Sequence, residues 1–156
     1  MNLENVNKWL TLLGNLAVLA GIVFLAAEIS QNTSMMQSQT RNAMTENQMS
    51  FYALIIENPD VQELFMRGGG SSETSMYEAT ELSKLSFLLN SQLRMWENEW
   101  YQYSQGLYDA EEFEPRLGIW KREMRNGRHQ AFWTFWRDTY SPGFRSLIDE
   151  YVNETN

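Results

Sequence analysis

From Trp9 to Ala27 the chain runs through nineteen residues without a charge or a proline, between Lys8 and Glu28, and apolar side chains spread around the whole circumference of the helix they would form. At about 1.5 Å of rise per residue, such a helix matches a bilayer hydrocarbon core of about 30 Å. The pattern predicts one transmembrane helix over 9–27, preceded by a polar N-terminus over 1–8. Two other uses of an apolar N-terminal helix compete with this. A signal peptide wants a shorter apolar region and a small-x-small cleavage site, which Leu25, Ala26 and Ala27 fit poorly. A helix buried in a soluble bundle would tolerate Gly14, Asn15 and Gly21, but a surface-packed helix keeps a polar face and this stretch has none.

After Glu28 the pattern turns polar without breaking. Residues 28–50 contain neither proline nor glycine, so the helix is predicted to continue as a stalk. Ile29, Met36 and Ala43 recur every seven residues, the spacing of a coiled-coil seam, which stops at Ser50. Met35, Met36, Met44 and Met49 suit gap-filling in a helical core first and an adaptable binding strip second. Phe51 to Ile56 (FYALII) is apolar throughout and is expected to be buried in the soluble part. Asn58-Pro59-Asp60 should end the helix and start a short one over 60–67.

Gly68-Gly69-Gly70-Ser71-Ser72 reads as a linker. A phosphate-cradling loop would need a preceding strand and a following lysine, and neither is evident. Thr74 or Ser75 is the expected cap of a long helix reaching Gly106, with Glu78 completing a capping box to Ser75. Leu82, Leu85, Leu89, Leu93, Trp96, Trp100 and Tyr103 recur at spacings of three and four, one buried stripe. Asp109 should cap the next helix, ending near Asn126-Gly127. A short aromatic helix over 128–140 then stops at Ser141-Pro142-Gly143, a last helix covers 144–152, and the tail Asn153 to Asn156 frays. The expected fold is all-α: a transmembrane helix, a stalk with the first soluble helices over 28–67, a linker over 68–73, and a helical domain over 74–153. With 156 residues, the chain has room for one compact domain beside the span.

Composition narrows the chemistry. The net charge of −8 disfavours nucleic acid as a partner. With no cysteine and one histidine, His129, the chain lacks the residues for thiolate metal sites, disulfides and multi-histidine zinc or di-iron centres. Triad catalysis needs an imidazole in a set position, so no enzyme and no cofactor is implied. His129 follows Arg128 and is expected to stay neutral and to hydrogen-bond.

Three groups of residues are candidates for function. Arg94, Glu97, Trp100 and Tyr101 could build a ligand-binding pocket around a carboxylate; the plainer reading is an ion pair orienting the helix, with Trp96 and Trp100 in the core. Lys121, Arg122, Arg125 and Arg128 form a basic run, with Arg116 and Arg137 on either side. It could meet anionic headgroups, although Glu97, Glu99, Asp109, Glu111, Glu112 and Glu114 lie upstream and intramolecular pairing is the stronger expectation. Within the span, Ala17 and Gly21 stack on one face and Asn15 could bond across it, an arrangement that lets two helices approach closely.

The order Trp9-Leu10, Asn15, and Glu28-Ile29-x-Gln31-Asn32-Thr33 resembles a group of short bacterial proteins with one N-terminal span and a helical soluble part. The similarity continues through Glu97-Asn98, Gln102, Gly106-Leu107, Trp133 or Trp136, and Phe144. Members often carry a proline before the arginine of the late helix, where this chain has Asn126-Gly127-Arg128. The resemblance implies a single-span architecture and supplies no activity.

Together these features predict a membrane-anchored, non-catalytic interaction or sensing module. Its expected partners are the lipid bilayer, a second copy of itself, and a membrane protein. The expected location is the cell inner membrane, with the positive-inside rule favouring a soluble part outside the cytoplasm. A small-ligand or lipid-headgroup binder using Arg94, Glu97 and the tryptophans is the first alternative, and an enzyme with a carboxylate base at Glu97 is a distant third.

Overall fold

In the computed structural model, which describes residues 2–154, helix α1 runs uninterrupted from Leu3 to Ile56. Its end is set by Asn58, which is extended because it precedes a proline, and by Pro59, which opens α2 (Pro59–Met66) at a position that needs no N–H. A 3-10 turn (Arg67–Gly70) leads on towards α3 (Ala79–Ser104), α4 (Ala110–Glu123) and α5 (Gly127–Trp136). A second 3-10 turn (Arg137–Thr139) precedes α6 (Pro142–Asn153). Among the described residues there is no strand, so the all-α expectation holds.

The chain separates into two compact units, Met1–Gln39 and Thr40–Asn156. In the first unit every side chain from Trp9 to Ala27 is exposed. By length and composition α1 can cross a membrane, and none of its most apolar eighteen-residue window is buried. Ile29, Met35 and Met36 are exposed as well.

The second unit is a bundle built on aromatic side chains. Trp96, Trp120, Trp133, Phe113 and Phe144 are all buried. Trp96 stacks on Trp120 at 5.4 Å, and Phe144 meets the edges of Trp120 and Trp133 at 6.1 and 6.0 Å. Each such side chain removed from water contributes about 1.5–3 kcal/mol. A smaller cluster of Leu64, Tyr77, Leu85 and Leu89 joins α2 to the first half of α3. The stripe on α3 is buried at Leu85, Leu89, Leu93 and Trp96, and Met44 is the buried methionine of α1.

Local signals explain most boundaries. Asp109 accepts the Glu111 N–H at 2.8 Å and Asn126 the Arg128 N–H at 3.1 Å, so both act as N-caps. Gly106 closes α3 with φ +70°.

Four expectations need correction. The cap of α3 is Glu78 rather than Thr74 or Ser75. Tyr77 is held in a turn by its N–H to the Thr74 carbonyl and by its hydroxyl to the Arg67 carbonyl, and Glu81 reaches back to the Glu78 N–H at 3.0 Å. Ser141-Pro142-Gly143 starts α6, since proline fits the first helical position, and does not end α5, which gives way to the second 3-10 turn after Trp136. None of Phe51 to Ile56 is buried: Phe51, Ala53 and Ile55 are half-buried, and Tyr52, Leu54 and Ile56 are exposed. The glycine-serine segment is also not wholly free: Gly70 is buried at φ +95° and the Asn126 side chain fills the space a Cβ would need. Helix α6 continues through Asn153, and residues 155–156 of the expected frayed tail lie outside the described residues.

Candidate functional site

Arg94 and Glu97 meet as an ion pair at 2.7 Å on α3. The pair turns towards the start of α6. Glu97 Oε1 accepts the Ser141 N–H at 2.7 Å, while Arg94 donates to the Thr139 carbonyl and hydroxyl oxygens, both at 3.0 Å, and lies 4.2 Å over the Tyr140 ring. Burial pushes the Glu97 carboxyl up, and the Ser141 N–H and the Arg94 guanidinium outweigh it, so the net displacement is downward. Both oxygens of Glu97 are therefore engaged within the chain. Trp100 is half-buried and packs on Phe144 at 6.3 Å, and Tyr101 is 52% exposed. Arg94, Glu97 and Tyr101 border a shallow depression of about 260 Å³ beside Ser141.

The buried carboxylate of this protein is Glu99, two residues further on. It is fully buried and takes two hydrogen bonds from Arg116, from Nε and Nη2, both at 2.9 Å. Gln48 of α1 donates a third, also at 2.9 Å. Burial pulls the Arg116 guanidinium down, and its bonds to Glu99 raise it further than burial lowers it. Three helices are joined here by one desolvated polar cluster. Sequence reasoning counted Glu99 only as part of an acidic group, but its place three residues after Trp96 puts it beside the apolar stripe, where a carboxylate needs a partner.

A second buried polar contact links α3 and α5. His129 Nε2 lies 3.1 Å from Gln92 Oε1, and its ring stacks on Trp96 at 6.3 Å. Burial, and then the charge of Arg128, push the imidazole down to about 4. It is neutral at physiological pH and hydrogen-bonded, as expected.

The basic run does not form one open surface. Arg128 is buried over the Phe65 ring at 5.1 Å and donates to the Phe65 carbonyl at 2.8 Å. Lys121 pairs with Glu154, Arg122 stands 3.8 Å from Glu123, and Arg137 grips Asp149. Arg125 is exposed. Lys121, Arg122 and Arg137 thus pair with acids downstream of them, and Arg116 pairs with Glu99 of the upstream acidic cluster. In the apolar stretch of α1, Asn15, Ala17 and Gly21 are exposed, and a Cβ added at Gly21 would meet nothing within 4 Å. Among the described residues, no group of three or more histidine, aspartate or glutamate side chains could hold a metal ion. No family model, curated protein or solved structure matches this chain.

Proposed function

We propose that the protein is a membrane-anchored helical module of the cell inner membrane that works by binding, as a sensor or interaction partner, and not by catalysis. The observation that carries this reading is the wholly exposed apolar stretch of α1. Leaving this mainly apolar stretch of nineteen residues in water opposes the hydrophobic effect at about 25 cal/mol per Å², and a bilayer removes the conflict. The bundle supports binding over chemistry in that its buried Glu99 and its half-buried Glu97 are both committed to arginines. Self-association through the face of Asn15, Ala17 and Gly21 is part of the proposal, as is a bundle outside the cytoplasm.

Fractionation of cells expressing the full chain tests the anchor. The chain should sediment with membranes, resist alkaline carbonate and be released by detergent, and protease added to spheroplasts should digest the bundle. A monomer recovered in the soluble fraction would overturn the reading.

A further inference from the structure

The last turns of α1 carry six consecutive apolar side chains, none of them buried, and Ile56 is 68% exposed. Contiguous apolar surface of this kind marks a place that something covers. These residues do not form a flat patch. Phe51 and Ile55 line an open cleft of about 400 Å³ together with Phe65 of α2, Gln92 of α3 and Ile119 of α4. The size and the mostly apolar lining with a few polar groups are those of small-molecule sites.

Beside the uncharged Gln62 of α2, two polar features set what the cleft accepts. Gln92 Oε1 faces His129 Nε2, and a neutral imidazole that donates there leaves the Gln92 NH₂ as a donor on the cleft wall. On the rim, Arg122 and Glu123 stand 3.8 Å apart, so cation and carboxylate offset each other and neither sign of charge is favoured in a ligand.

We infer that this cleft binds an uncharged apolar molecule with one carbonyl group, of the medium-chain acyl amide or ester class. The carbonyl accepts from the Gln92 NH₂, and the chain lies against Phe51, Ile55, Phe65 and Ile119. This occupant covers apolar side chains that the fold leaves open, and it gives the proposed sensing module a ligand class. The inference rests on that reading for the meaning of binding, not for binding itself.

Equilibrium dialysis of the full chain in zwitterionic lipid nanodiscs against radiolabelled octanamide, with empty nanodiscs as the blank, tests it. Saturable binding above the blank, at one molecule per chain, is the expected result. Octanoate, ionised at about pH 8, should bind roughly tenfold more weakly, because its charge must be desolvated without a free counter-ion. Ile55→Trp fills the cleft and should weaken octanamide by roughly tenfold or more. Gln92→Leu removes one neutral hydrogen bond and should weaken it by about fivefold. Melting curves establish that each variant is folded, and Ile119→Trp fills the cleft from the opposite wall if Ile55→Trp is not. Absence of saturable binding to the wild type, or full binding by a folded filled variant, overturns the site. Octanoate binding as tightly as octanamide overturns the uncharged class. Failure of the membrane reading would appear separately, as a chain found in the soluble fraction, and the same dialysis can then be run without nanodiscs.

Discussion

Two tryptophans summarise the difference between the two units: Trp9 is 65% exposed and Trp96 is 1% exposed. Both sit on long helices with many apolar neighbours. What separates them is the period. Around Trp96 the apolar residues recur every three or four positions and leave a polar face for water, so the helix can pack on one side. From Trp9 to Ala27 they lie on every side of the helix, and all of them are exposed. Hydrophobicity states that a surface must leave water; the period states whether another helix or a lipid phase can receive it.

The bundle side of this comparison should be easiest to break at its buried charge. Glu99→Ala leaves the Arg116 guanidinium without its carboxylate and should cost about 3–5 kcal/mol of unfolding free energy. The double variant Glu99→Leu with Arg116→Met removes both charges and should regain most of that loss. Chemical denaturation of the full chain, followed by tryptophan fluorescence, measures both. An unchanged midpoint for the single variant would mean that the cluster is not desolvated.

The apolar stretch of α1 should respond in a different observable. Leu19→Arg places a charge near the middle of the apolar stretch, which opposes membrane insertion by about 2.5–3.5 kcal/mol. The share of protein in the membrane fraction should fall, while the bundle's denaturation midpoint stays where it was. If the midpoint drops and the membrane share does not, Leu19 is packed against protein instead of lipid.

The same distinction explains what the sequence made legible. Helices with a clean stripe or a strong cap were readable: Leu85 to Trp96 on α3, Asp109 before α4, Gly106 after α3. The position of Glu99 in the core was not, because its partner Arg116 comes from another helix and pairing across helices leaves no local periodicity. Phe51 to Ile56 misled for a related reason. Apolar content demands cover, but it does not say whether the chain itself supplies enough side chains to provide it. The start of α3 was lost to a tertiary contact, the Tyr77 hydroxyl on the Arg67 carbonyl, which holds Thr74 to Tyr77 out of the helix that Ser75 could otherwise have capped.

His129 sharpens the comparison on the bundle side through pH. Its folded value of about 4 lies below the ordinary 6.5, so the folded state takes up the proton less readily than the unfolded chain. The stability is complete above about pH 6.5, falls as the pH drops through the window down to about 4, and levels off with respect to this group below it. At about pH 5 the loss should be roughly 2 kcal/mol. Asp149 and Glu97, held below the usual carboxylate range, give up their contributions only at lower pH. Denaturation midpoints measured at about pH 7 and about pH 5 should therefore converge in His129→Gln, which keeps a hydrogen-bonding side chain and has no proton to gain. A midpoint that falls equally in the variant would assign the pH response to other groups.

The smallest effect is expected at a contact that looks similar to the largest. Arg41 of α1 pairs with Glu112 of α4 at 2.9 Å, and Gln48, two turns further along the same helix, bonds Glu99 at the same distance. The side chains of Arg41 and Glu112 are 67% and 36% exposed, so water competes for both partners and salt screens what remains. Arg41→Ala should change the denaturation midpoint by less than about 1 kcal/mol, and less still at high salt. Gln48→Ala should cost more, about 1–3 kcal/mol, since it removes a bond to a carboxylate that has no water to replace it. If the two substitutions prove equal, distance and not desolvation governs how α1 is held to the bundle. If Arg41 is the weaker, Met44 and Gln48 are what fasten it.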